Sequence, residues 1–397
     1  HTMNSLSVKP LFKRFRQEPP LGWTPLSHQK VRLMVAVTGV AFADILIFTM
    51  LGFQEMLFEG ATFVHKNLRA DLVLVSQRTE ALYFGETFSR RHLYQADGVA
   101  GVASAAPFYL GGGSWVNPWT GESTDVILLA FDPEHSVLDL PGVDAQLDDI
   151  KLPNVVLLDS KAQPRIGPVA AALEHGRPVT TELSGHRIKV EGLFTLGSSI
   201  FTQGHLITSD LNYLRLMDVP SLDRANLGAL TLEPGADPET VRQALNERLP
   251  KEVKVLTPEE FIQSEIAFWT QDVAGVIFNF GAIMGFIVGI VIVNQVLYSD
   301  VNDHLPEYAT LKAMGYSDRR LLVVVFQEAA ILALLGFIPG FGVSLGMYQL
   351  LGFLTKIPLA MRSAVALQVF TATVVMCMLS AAISMRKLHA ADPADVF

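Results

Sequence analysis

Four stretches of this chain are too long and too apolar to be folded in water. A helix needs roughly 20 mostly apolar residues to cross about 30 Å of hydrocarbon. Residues 33–58, 273–298, 321–354 and 364–386 each meet that requirement. Half of the 397 residues are hydrophobic and only 17% are charged, a composition that ordinary soluble proteins of this size do not have. The third stretch contains Gly336, Pro339, Gly340 and Gly342, which predicts a kink or break there. The expected fold class is therefore an α-helical membrane protein with four transmembrane helices and a large domain between the first two.

Charge sets the expected orientation. Lys9, Lys13, Arg14, Arg16, Lys30 and Arg32 precede the first stretch with Glu18 as the only acid, and Arg386 and Lys387 follow the last. Positive flanks stay in the cytoplasm. Segments 1–32, 299–320 and 387–397 are accordingly expected inside a bacterial inner membrane, and 59–272 outside it, in the periplasm. Lys356 and Arg362 in the outer link run mildly against the rule. The block 59–272 carries 17 basic and 29 acidic residues, a net charge of −12. Such an acidic domain argues against nucleic acid as a partner. With Cys377 as its only cysteine, the chain forms no intramolecular disulfide. Leu6, Lys9, Leu11, Phe12, Lys13, Phe15 and Arg16 read as an amphipathic helix on membrane lipids or as a solvated basic tail.

The external block reads as α+β. The run ADLVLVS at 70–76 predicts a strand, and 227–232, 237–249 and 253–256 predict strand, helix and strand that pair with it in one layer. A β-rich insertion is expected over about 110–225. Thr257-Pro258-Glu259-Glu260 is a capping box with proline at the first helical position. No strong breaker follows before about Asp300, so one rod of about 60 Å is expected from Pro258 into the second span. Ile262, Ile266, Trp269 and Val273, continuing to Val276 and Phe280, alternate steps of four and three, the spacing of a coiled-coil seam. With Leu57, Ala61, Val64 and Leu68 beyond the first span, this predicts a two-helix stalk.

Within the spans, Gly281, Gly285 and Gly289 form a groove for close helix approach, against this chain or a second copy; four spans are too few to enclose a path, so a homodimer is expected. Asp44 falls near the bilayer middle, where a carboxyl must be protonated or paired. Asn294, Gln295, Gln327 and Glu328 are its candidate partners, in a structural hydrogen bond rather than a proton relay.

Catalytic signatures are missing from the sequence. His65, His92, His135, His175, His186 and His205 are not at ligand spacing, no G-x-S-x-G or H-E-x-x-H occurs, and nothing local marks a dispersed Ser-His-Asp triad. The expectation is a non-catalytic chain without catalytic, cofactor or metal residues. No G-x-x-x-x-G-K-[ST] phosphate loop occurs either, so ATP and Mg must be bound by a separate subunit if ATP drives this protein.

The segment EYATLKAMGYSDRRL, starting at Glu307, is similar to the E-x-x-x-L-[KR]-A-[LM]-G signature of FtsX-like permeases, the family that includes MacB and the Lol lipoprotein transporters. KVRLMVAVTGVAFADILIFTMLGF, ADLVLVSQRT and FSRRHLYQ resemble the DevC subfamily. The resemblance implies a MacB-like mechanotransmission (type VII ABC) architecture with a helical stalk. It further implies a DevA-like cytoplasmic ATPase, a DevB-like membrane-fusion adaptor and a TolC-like outer-membrane channel, with a lipid or glycolipid as cargo. Glu307, Leu311, Lys312, Ala313, Met314 and Gly315 would then form the helix on which the ATPase docks. Other members of the family imply two alternatives: a scaffold that activates a periplasmic cell-wall hydrolase, or a lipoprotein-releasing permease.

Overall fold

A computed structural model of the protein describes residues 30–197, 199–303, 318–355 and 359–390. They divide into two compact units. A helical bundle comprises the chain up to Phe53, Ile277–Gln349 and the part from Ala360 onward; a head comprises Gln54–Val276 with Leu350–Leu359. In chain order the elements are α1 (Lys30–Lys66), β1 (Leu72–Ser76), β2 (Phe88–Ser89), α2 (Arg91–Asp97), β3 (Val102–Val116), β4 (Ser123–Phe131), β5 (Val155–Asp159), α3 (Val169–Glu174), β6 (Val179–Leu183), β7 (His186–Phe194), β8 (His205–Ser209), α4 (Asp210–Leu216), β9 (Arg224–Ala225), β10 (Leu227–Leu232), α5 (Pro238–Arg248), β11 (Val253–Leu256), α6 (Pro258–Gln271), α7 (Val273–Asp303), α8 (Asp318–Thr355) and α9 (Ser363–Ala390).

In the bundle, α1, α7, α8 and α9 are long and apolar enough to cross a membrane. Small residues let them approach closely. A β-carbon on Gly336 would lie 2.4 Å from the Val40 side chain, and one on Gly340 would lie 2.9 Å from Asp44 Cβ and 3.2 Å from the Ala41 carbonyl. Gly336 and Gly340 thus serve as contact points with α1. The expected break at Pro339 does not occur: α8 is one 38-residue helix with the proline inside it. Proline removes a single N–H, and close packing against α1 on both sides of it holds the helix together.

The head is built on a nine-stranded sheet of order β11-β1-β10-β3-β4-β8-β5-β7-β6. β1 has no polar alternation until its last residue, as a strand covered on both faces requires, and it lies between β10 and β11, antiparallel to both. At the far end, the β6–β7 hairpin turns through Ser184 (φ 50°) and Gly185 (φ 84°), the left-handed pair of a two-residue turn. Pairing of Trp115 with Leu183 returns that end to β3, so β3, β4, β8, β5, β7 and β6 close on themselves. Trp115 is fully buried, and its indole N–H donates to the Ile166 carbonyl (3.1 Å).

Two apolar cores flank the sheet. Adjacent residues of β3 divide between them: Tyr109 joins the core that includes Leu93, Leu245 and Trp115, while Phe108 joins the one that includes Phe131, Val64 of α1 and Phe261 of α6. The outer end of α1 and all of α6 therefore belong to the head's own packing.

One expectation fails here. The rod from Pro258 does not continue into the second span, because Asp272 is extended (φ −66°, ψ 161°) and separates α6 from α7. Its N–H donates to the Phe268 carbonyl (2.9 Å) and closes α6. Its carboxylate accepts from Ala274 N–H (3.1 Å), and its carbonyl from Val276 N–H (2.9 Å), which opens α7. Asp272 caps both helices, and an aspartate side chain that competes for backbone N–H groups favours such a site over a helix interior.

Gly275 makes the junction possible. A β-carbon there would lie 2.0 Å from the Trp269 carbonyl oxygen and 2.8 Å from that of Thr270. Gly275→Ala is expected to cost about 1–3 kcal/mol, the usual cost of overpacking, and to open the junction. Hydrogen exchange at amides 268–276 should accelerate; unchanged protection would mean that the turn does not depend on this contact.

Candidate functional site

Three clusters of polar residues are buried where chemistry or mechanics could reside. The first is in the bundle. Asp44 is fully buried and accepts a hydrogen bond from Thr373 Oγ1 (2.6 Å) on α9, while its other oxygen, Oδ2, has no hydrogen-bond partner. The expected partners Asn294, Gln295, Gln327 and Glu328 are not the ones used. Asn294 Oδ1 instead accepts from Ser384 Oγ (2.9 Å). The donor to Asp44 is a threonine that can also satisfy its own helix through the Val369 carbonyl (2.8 Å), so no polarity pattern betrayed it. Thr373→Val should destabilise the bundle by about 1–3 kcal/mol by stranding a buried carboxyl oxygen, and adding Asp44→Leu should restore most of the loss. Thermal unfolding in detergent measures both; equal melting of the single variant and the parent would refute the pairing.

The second cluster lies at the bundle end next to segment 304–317. Arg32 of α1 donates to Ser299 Oγ (3.1 Å) and to Asp303 Oδ2, and lies 3.6 Å from Asp300 Oδ1. Glu328 of α8 is buried and interacts with Asp300. Three helices therefore share one charge network at the point where α7 gives way to the expected docking segment. Arg32 counted in the sequence only as a flanking positive charge. Glu307, Leu311, Lys312, Ala313, Met314 and Gly315 lie outside the described residues.

Gly281, Gly285 and Gly289 pack within the chain. β-Carbons there would lie 2.5 Å from Met50 Sδ, 3.1 Å from Ile47 Cγ1 and 2.0 Å from Met376 Sδ. Of the two expected uses of the stripe, the structure shows packing against helices of the same chain, α1 and α9.

The third cluster is in the head. His65 of α1 and Glu265 of α6 are buried with Nε2 and Oε2 3.1 Å apart, and the imidazole lies 4.0 Å, centroid to centroid, from Phe261. Glu265 Oε2 also accepts from Leu82 N–H (2.8 Å) and Oε1 from the Trp269 indole N–H (2.8 Å). One carboxyl group thus accepts from a loop and from its own helix, and stands 3.1 Å from the end of α1. Nearby, burial first and the Glu265 charge second push the Tyr83 phenol above its ordinary range. The expected seam is displaced accordingly. Phe261, Glu265 and Trp269 form the buried stripe, Ile262 and Ile266 are half-buried, and Val273 is 72% exposed. A glutamate at the centre of an apolar stripe was the signal available in the sequence, and an i, i+4, i+8 count from Phe261 would have exposed it.

No catalytic relay forms around the buried His205. Asp159 Oδ2 is 3.9 Å from His205 Nδ1. Burial works to raise the Asp159 carboxyl, but His205 and the N–H groups of Lys161, Gly197 and Leu196 hold it below its usual range. His205 Nε2 is buried without a hydrogen-bond partner, so no hydroxyl is activated there. Among the described residues no group of three or more side chains could hold a metal ion.

With this geometry in hand, residues 279–393, covering most of α7 and all of α8 and α9, match the family model described as FtsX-like permease C-terminal. This part of the chain is similar to FtsX-like permeases. Among solved structures, the periplasmic region of MacB from Actinobacillus actinomycetemcomitans is similar over 51% of this chain and 94% of its own length, at 13% identity and TM-score 0.36. The extracellular domain of the noncanonic ABC-type transporter YknZ from Gram-positive bacteria matches 47% of this chain and 99% of its own (12% identity, TM-score 0.34). A domain of a permease protein from Porphyromonas gingivalis matches 49% and 91% (17% identity, TM-score 0.29). No curated protein matches the sequence.

Proposed function

We propose that this chain is the membrane subunit of an ABC-type exporter, in which ATP hydrolysis by a separate cytoplasmic subunit moves the periplasmic head. The match of residues 279–393 to the FtsX-like permease family carries the proposal. The ATPase engages segment 304–317, both termini are cytoplasmic, and two copies of the chain work together. A periplasmic adaptor and an outer-membrane channel receive the cargo, a lipid or glycolipid, as the DevC resemblance suggests.

The two connections to the head differ mechanically. α1 is unbroken over its 37 residues and its outer end is part of the head core, so it can carry displacement directly. α6 and α7 meet at Asp272 as separately capped helices, which suits an articulation better than a push-rod. Force is therefore expected to travel along α1, and the Arg32 network joins α1 to the ends of α7 and α8 beside the docking segment.

Reconstitution tests the proposal. The chain should co-purify with a nucleotide-binding subunit whose ATP hydrolysis changes when the two are placed together in vesicles. A chain that captures a peptidoglycan hydrolase, and no ATPase-driven export partner, would overturn it.

A further inference from the structure

Within the bundle, α1 and α7 approach closely at Gly39, where a β-carbon would lie 2.3 Å from Ile292 Cγ2. Four residues further along each helix, Val35 and Val296 line a cleft of about 680 Å³. That lies within the range of about 300–1,000 Å³ that small-ligand sites occupy. Lys30, Val31 and Arg32 of α1 and Ser299 of α7 line it too, and among the described residues no carboxylate does.

The cleft straddles the level at which both helices turn from apolar to charged. The apolar stretch of α1 begins at Leu33 and that of α7 ends at Tyr298, beyond which stand Ser299, Asp300 and Asp303. Arg32 bridges the helices at this level. Its Nη2 donates to Ser299 Oγ (3.1 Å) and to Asp303, while Nη1, 3.6 Å from Asp300 Oδ1, is buried without a hydrogen-bond partner. A buried donor without an acceptor is a group that a ligand oxygen satisfies. Asp300 and Asp303 balance Arg32 from the α7 side, so the exposed Lys30 is left to meet an anion. On the other side of the charged level, the wall is apolar and open: Val31 and Val35 are 78% and 57% exposed.

We infer that this cleft holds one anionic phospholipid, with its phosphate at Lys30 and Arg32 and its acyl chains along Val31, Val35 and Val296. Charge selects the headgroup. Residues 1–32 carry six basic residues against one acid, and basic pockets between spanning helices at a membrane surface favour acidic lipids. The valines select the tails, because a soluble phosphate would leave them uncovered. The inference rests on the helices crossing a bilayer and not on transport.

The single cysteine makes the test direct. In a Cys377→Ala background, Val291→Cys and Ile383→Cys chains carry a fluorophore in vesicles of phosphatidylcholine mixed with phosphatidylglycerol, one lipid or the other bearing bromine on its acyl chains as the quencher. Val291 is exposed on α7, four residues from Gln295 in the cleft wall. Ile383 is exposed on α9 at the same level, since the adjacent Ser384 donates to Asn294 Oδ1 (2.9 Å). Quenching should favour phosphatidylglycerol several-fold at 291 and show no preference at 383. Lys30→Gln should abolish the preference at 291, and Lys30→Arg should keep it. Equal quenching by the two lipids at 291 overturns the site, whether the cleft is empty or filled by residues 1–29. The same preference at 383 overturns it as well, and so does a preference at 291 that survives Lys30→Gln. Loss of the preference on adding inorganic phosphate at constant ionic strength would make the ligand a free anion and overturn the lipid. Absence of quenching by either lipid at 383 would overturn the membrane-spanning reading and the site with it.

Discussion

Export should fail in a chain carrying Leu311→Asp, while the chain still reaches the membrane and its partner ATPase still hydrolyses ATP. In EYATLKAMGYSDRRL, Leu311 occupies the apolar position of the signature that FtsX-like permeases share. A docking segment of a few residues holds its partner through one or two apolar anchors, and truncating such an anchor costs about 2–4 kcal/mol, roughly 30- to 1,000-fold in affinity. An aspartate is worse than a truncation, because its charge must be desolvated against the partner. Gly315→Pro should act in the same direction by altering the end of the segment. Reconstituted vesicles report both quantities, ATP hydrolysis and cargo export. Export that continues at the wild-type ratio to ATP hydrolysed would remove segment 304–317 from the mechanism.

Glu265→Leu should lower the melting temperature of the head by roughly 10 °C, reflecting a loss of about 3–5 kcal/mol from breaking a buried charged node. The substitution strands Leu82 N–H, the Trp269 indole N–H and His65 together, each of which the carboxylate now meets. Glu265→Gln keeps an acceptor at nearly the same place and should lose about half as much. Calorimetry of the full chain in detergent separates the two variants. If Glu265→Leu unfolds at the parent temperature, the node is incidental and α6 is held by its apolar contacts alone. The same variant should also free the 77–87 loop, whose Leu82 N–H the carboxylate holds.

Much of the architecture was legible because it depends on local rules. Hydrophobic length marks the spans, since hydrocarbon demands about 20 apolar residues whatever else the fold does. The capping box at Thr257 and Glu260 was readable because both its hydrogen bonds lie within four residues, and both form, at 3.1 and 3.0 Å. β1, β10, α5 and β11 followed from short runs of strand-forming residues, turn residues and an Asp-Pro start. The seam failed for the same kind of reason. A spacing of four and three describes a face but not its partner, and α6 turned a different face to the head, with Glu265 at its centre.

By itself the sequence determined how many helices are long and apolar enough to cross a membrane, that an acidic α+β domain interrupts them, and that a segment similar to the FtsX-like permease signature precedes the third, because each depends only on neighbours along the chain. Tertiary structure decided which buried groups meet: Asp44 with Thr373, Arg32 with Asp300 and Asp303, His65 with Glu265. Asp272 interrupts the helix through local bonds of its own, closing α6 and opening α7, whereas the three pairings are long-range. Those pairings join residues about 200 or more positions apart in the chain, and no local pattern encodes a meeting at that range.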